Sequence, residues 1–203
     1  MRRTVSGLRR LHEITEDEMV LAFLRAEAPA RGWADRYADS PLLPDDLDSR
    51  ADPEEPGQNQ RRRDALAGAR GYRRDRLLFA GLPSDIRWYH ALATIEQLAS
   101  FSHLDYPTFN RLTGGSRLVG DGAPGAVTVA EEGLSEQIDS LAEAVKRGER
   151  HPALIALASS LDASPVILEG NKRASAYVRE LPRDLEIEVI VWVSLGVRSM
   201  RFF

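Results

Sequence analysis

The chain has 203 residues, 43% of them hydrophobic, with no cysteine, four histidines and a formal net charge of −4. That length and apolar content suit one large domain or two small ones, while the missing cysteine excludes a disulfide framework, a thiolate metal centre and a cysteine nucleophile. Four scattered histidines leave little for zinc, so metal chemistry would fall to oxygen ligands of the kind magnesium takes; with no long apolar stretch and no apolar signal core after MRRTVSGLRR, we expect a cytoplasmic protein that does not enter a membrane.

Thr15-Glu16-Asp17-Glu18 has the form of a capping box, and Met19, Val20, Phe23 and Leu24 then recur at helical spacing, which predicts an amphipathic helix over 16–28. Trp33 and Tyr37 follow at i,i+4 spacing, a pattern of core or docking contacts. Charge then segregates. Residues 35–55 carry Asp35, Asp39, Asp45, Asp46, Asp48, Asp52, Glu54 and Glu55, and residues 61–76 carry Arg61, Arg62, Arg63, Arg70, Arg73, Arg74 and Arg76. Two readings of the arginine block stand side by side: the two blocks neutralise each other, or Arg61, Arg62, Arg63, Arg73 and Arg74 contact nucleic-acid phosphates. Residues 40–60, and 52–60 above all, have breakers and no apolar period, so a loop or disordered segment is expected there.

Leu77 to Ala80 form an apolar run that stops at Gly81-Leu82-Pro83. Ile86 to Leu92 suits a strand, and Thr94 can cap a helix carrying Ile95, Leu98 and Phe101. Residues 102–126 read as an irregular surface lid or binding loop, with Gly114-Gly115-Ser116-Arg117 an ordinary turn or an anion nest. His90 and His103 lack metal spacing and are expected to be hydrogen-bonded structural residues.

From residue 126 the pattern is helix, strand, strand, helix, strand. Val127 and Val129 open it within a short β-type run. Leu134, Ile138, Leu141 and Val145 mark a helix ending at Gly148, and Ala153 to Ala158 and Val166 to Leu168 are apolar strands. A helix follows over 171–180 and a strand over 187–193. Between strand and helix lies Glu169-Gly170-Asn171-Lys172-Arg173. Gly170 frees the turn from a Cβ clash, Asn171 can cap the helix, Lys172 supplies a point charge and Arg173 a bidentate fork, all at the positive end of a helix dipole. Glu169, beside two cations, is expected to have a lowered pKa and stay ionised. It can then hold magnesium, act as a base, or pair with Arg173.

This order of elements with its Gly-Asn-Lys-Arg turn resembles the ParB/sulfiredoxin-like superfamily over residues 126–195. The resemblance implies an α+β fold, a small mixed sheet with helices at 126–203, preceded by a mainly helical accessory region at 1–125. It also implies a nucleotide or phosphorylated small molecule as partner, bound through Gly170, Asn171, Lys172 and Arg173. Glu169 and Lys172 become the candidate catalytic residues and Glu169 the candidate magnesium ligand, for phosphoryl transfer or phosphodiester hydrolysis. Glu131, Glu132 and Glu136 are candidates for the base, because serine-kinase members place an acid early in the domain. Members with histidine in the turn or a sulfiredoxin cysteine use chemistries this sequence lacks, and with ten or so residues after the last strand the helix-turn-helix architecture of the segregation proteins is not expected. The alternative is a non-catalytic module in which nucleotide binding changes how the 61–76 segment engages nucleic acid or protein.

Overall fold

Strands from both halves of the chain join one sheet in the computed structural model, which describes residues 8–29, 34–122 and 133–203. The strands are β1 (Arg9–Ile14), β2 (Arg87–Thr94), β3 (Ser102–His103), β4 (Leu154–Ala158), β5 (Val166–Glu169) and β6 (Glu186–Val193). They lie in the order β1-β2-β6-β4-β5-β3. Pairing is antiparallel at β1–β2, β2–β6 and β4–β5 and parallel at β4–β6 and β3–β5, so the sheet is mixed and open. The fold is α+β, as expected. The β2–β6 pairing, however, runs continuously from Arg87↔Val193 to Thr94↔Glu186, so hydrogen bonds of the sheet cross the expected boundary at 125/126. The residues before that boundary are also less purely helical than expected, since β1, β2 and β3 come from them.

Helices cover both faces. Because side chains alternate along a strand, Ile155 and Leu157 of β4 and Ile190 and Trp192 of β6 face one layer, while Leu154, Ala156, Ala158, Val189 and Val191 face the other. The first layer holds α1 (Glu16–Glu27), α2 (Ala34–Tyr37) and α3 (Pro56–Arg70). Phe23 of α1, Tyr72 and Phe79 pack on Trp192 there, with Phe79 stacked on the indole at 5.6 Å and 9°. Each such side chain, once fully buried, contributes roughly 1.5–3 kcal/mol of transfer free energy. The second layer holds α4 (Ile95–Ala99), α5 (Pro107–Leu112), α6 (Val119–Gly122), α7 (Leu134–Lys146) and α8 (Asn171–Glu180).

The helix starts follow the sequence closely where side chains cap them. Thr15 and Glu18 form the expected box, with Glu18 N–H donating to Thr15 Oγ1 at 3.2 Å and Thr15 N–H to Glu18 Oε2 at 2.7 Å. Thr94 and Gln97 do the same for α4. The expected loop over 52–60 is corrected: it ends at Glu55, whose carboxylate accepts from Gly57 N–H, and α3 begins at Pro56. Proline suits the first helical position because its missing N–H would have no partner there. The lid expected over 102–126 is also corrected, as it contains β3, α5 and α6. Trp33 and the run 126–129 lie outside the described residues.

Candidate functional site

Gly170 joins β5 to α8 with φ +97°, where a side chain would be strained. A Cβ here would lie 2.4 Å from Leu154 Cδ2 and 3.0 Å from Arg173 Nη2, so both backbone conformation and packing demand glycine. No side chain caps α8, which leaves its first N–H groups without a side-chain acceptor. The expected cap, Asn171, is instead a buried cross-link. Its Oδ1 lies 2.9 Å from His103 Nδ1 and accepts weakly from Leu104 N–H at 3.4 Å, while Nδ2 donates to the Ile167 carbonyl. His103 is fully buried, stacks on Phe109 at 4.7 Å and lies 3.4 Å from Ser175 Oγ through Nε2. Burial lowers its pKa to about 4, with Arg117 pushing the same way against the Asn171 bond. It is therefore neutral at pH 7 and donates Nδ1–H to Asn171. The structural role expected of His103 holds.

Lys172 has the opposite fate. Half-buried, it donates to Gln137 Oε1 and lines a cleft of about 440 Å³ with Tyr106, Pro107, Thr108, Phe109, Leu134 and Gln137. These residues come from the first turns of α5, α7 and α8, with Tyr106 just before α5. The cleft therefore has apolar and aromatic walls, the positive ends of helix dipoles and one ammonium group.

Arg173 lies on the other flank of the same turn and is 8% exposed. Nη1 donates to the Pro152 carbonyl, and Nη2 sits 3.6 Å from Glu169 Oε1, too far for a hydrogen bond. Glu169 overturns one expectation. Its carboxyl is raised rather than lowered: burial is the largest cause and Glu27 adds to it, against Arg173, Arg70 and the Gly170 N–H. Two arginines nearby do not offset the loss of water. Arg70 is turned away to Glu27, which it grips through Nε at 2.7 and 3.0 Å and through Nη2, and Tyr37 donates to the same carboxylate at 2.5 Å.

Glu27 was not singled out in the sequence, while Tyr37 was read only as a core or docking residue and Arg70 only as part of the arginine block. A signal was present, since Glu27 continues the Met19, Val20, Phe23, Leu24 stripe onto the buried face of α1, where an acid requires a partner. The donor set around Glu169 does not suit magnesium: its neighbours are two guanidinium groups and an acid already taken by Arg70. Among the described residues no three His, Asp or Glu side chains converge as a metal site. Glu136 is exposed on the first turn of α7, and Glu131 and Glu132 lie outside the described residues.

The arginine block is largely turned inward. Arg61 binds Asp46 through Nε at 2.9 Å and Nη2 at 2.6 Å, and Arg63 pairs with Asp17. Arg62 is fully buried, with Nε donating to Asp46 O at 2.7 Å, Nη1 to Asp52 O at 3.0 Å and to Asn59 Oδ1 at 2.7 Å, and Nη2 to Gln58. It is out of reach of a nucleic acid. Arg73 binds Glu16 Oε1 at 3.0 Å and lies over Tyr72 and Trp88, while Arg74 is exposed. Thus the acidic and basic segments neutralise each other in part, with the acids of α1 as additional partners. Gly114 to Arg117 form a turn whose Arg117 guanidinium is held by the His103 carbonyl at 2.9 and 3.1 Å. No helix of the described residues is long and apolar enough to cross a membrane. Comparison with protein-family models, with curated proteins and with solved structures found nothing that matches the chain.

Proposed function

We propose that this chain binds a phosphorylated small molecule, with a nucleotide the favoured class, in the cleft between α5, α7 and α8. The observation that carries this reading is the uncapped first turn of α8, with Lys172 lining the cleft onto which the first turns of α5 and α7 also open. A phosphate at the α8 end would accept backbone N–H bonds, with Lys172 on one flank and Arg173 Nη2 on the other. Phe109, Tyr106 and Leu134 offer apolar surface for a base or other organic group. The resemblance of the helix-strand-strand-helix-strand order to the ParB/sulfiredoxin-like superfamily supports a nucleotide over a simpler phosphate ester.

Phosphoryl transfer or phosphodiester hydrolysis is the reaction class such a site would serve, through charge neutralisation by Lys172 and the helix end. Thermal unfolding in the presence of nucleoside di- and triphosphates, with and without magnesium, tests the binding. At a ligand concentration near 100 times Kd, stability rises by about 2.7 kcal/mol and Tm by roughly 5–10 °C for a chain of this size. Lys172→Ala should remove about half of that shift or more. No shift with any nucleotide would remove the proposal. Retention of an oligonucleotide at low salt, lost on replacing Arg74, would instead favour the nucleic-acid module.

A further inference from the structure

Glu169 and Arg173 face each other at 3.6 Å across a gap that no hydrogen bond closes. The Arg173 side chain is only 9% exposed, and its Nη2 has no hydrogen-bond partner among the described residues. It packs against Gly170, where a Cβ would sit 3.0 Å from Nη2, so the guanidinium lies directly on the turn that starts α8. Facing the Glu169 carboxyl are Arg173 of α8, Glu27 of α1, Arg70 of α3, the Tyr37 hydroxyl of α2 and the Gly170 N–H. Arg70 is bidentate to Glu27, and Glu27 is fully buried and saturated by Arg70 and Tyr37. Arg173 is therefore the cation on which an ionised Glu169 most depends.

Resting on the phosphate reading above, we propose that oxyanion binding at the first turn of α8 is coupled to protonation of Glu169. The anion takes the place of the Glu169 carboxylate at Nη2 of Arg173, and Glu169 takes up one proton from solvent and remains as a hydrogen-bond donor to the anion. Two anions cannot share one buried guanidinium cheaply, and the carboxylate is the one of the pair that can neutralise itself in place. Its position makes this easy. Burial and Glu27 already hold the carboxyl above its usual range, and drawing Arg173 toward another anion removes the strongest opposing influence. By linkage, whatever binds with proton uptake binds more weakly as pH rises.

Calorimetric titration of the full chain with ADP, in buffers of different ionisation enthalpy and across a pH series, reads the coupling directly. Wild-type protein should take up more protons than Glu169→Gln by up to one per site, and its affinity should fall by up to about tenfold per pH unit where Glu169 is ionised in the free protein. Glu169→Gln should bind ADP with that part of the uptake and of the pH slope gone. Equal uptake and equal slopes in the two proteins overturn the coupling while leaving the phosphate reading intact. Failure of ADP to bind either protein overturns the phosphate reading and the coupling with it. The wild-type slope needs no substitution, so a flat slope overturns the coupling even if the variant misfolds.

Discussion

Removing Arg62 is a direct way to decide whether the arginine block is structural. The side chain is fully buried and ties α3 to Asp46, Asp52, Gln58 and Asn59. In Arg62→Ala the acceptors at Asp46 O and Asn59 Oδ1 lose their donor in a buried setting, at about 1.5–3 kcal/mol each for bonds to a charged group. Asp52 O and Gln58 are partly exposed and can regain water. The expected loss is therefore about 3–5 kcal/mol, a fifth or more of the stability of an ordinary domain, and Tm falls by roughly 6–20 °C. Urea denaturation and thermal scanning measure it. Arg63→Ala, which breaks a half-exposed pair with Asp17, should cost about 1 kcal/mol or less. Unchanged stability of Arg62→Ala, together with lost oligonucleotide binding, would refute the structural assignment.

Gly170→Ala should destabilise by at least about 2 kcal/mol in urea, because the φ of +97° and the 2.4 Å approach of Leu154 Cδ2 act together; a neutral outcome would mean the turn is built differently. The Glu169 carboxyl is raised in the folded state, so between its unfolded and folded pKa the folded chain binds more protons and stability falls as pH rises. In Glu169→Gln this loss of stability on going from acid to pH 8 should be absent; a pH dependence unchanged from wild type would contradict the raised carboxyl. His103 has the opposite sign. With a folded pKa near 4 against an ordinary 6.5, the unfolded chain binds the extra proton, so stability is lost as pH falls through that window, by roughly 3 kcal/mol in all. His103→Gln should remove this component from the acid-unfolding curve, and an unaltered curve would place the acid sensitivity elsewhere.

Elements whose cause is local were legible in the sequence. The capping box at Thr15, the helix cap at Thr94, the apolar runs of β4, β5 and β6, and the glycine turn at 170 each announce themselves within a few residues. Helix α3 was hidden because its buried face carries Asn59 and Arg62, polar groups whose partners come from Asp46, Asp52 and Pro53. Asn171 looked like a cap because nothing nearby reveals His103, 68 residues away, as its partner. Glu169 was misjudged for the same reason: adjacent cations are visible in the sequence, whereas burial and the carboxylate of Glu27 belong to the tertiary structure. Of the proposed phosphate contacts, Lys172 reaches the cleft, and Asn171 is committed to the interior.

Lys172 and the start of α8 are proposed to bind a phosphorylated ligand in the cleft. Calorimetric titration of wild-type protein and Lys172→Ala with ADP, after equal urea midpoints show that both are folded, tests this binding most directly. Saturable binding to wild type and at least about tenfold weaker binding to the variant, the loss of one charge-assisted contact, are expected. ADP affinity indifferent to Lys172, or no binding to folded wild-type protein, would contradict it.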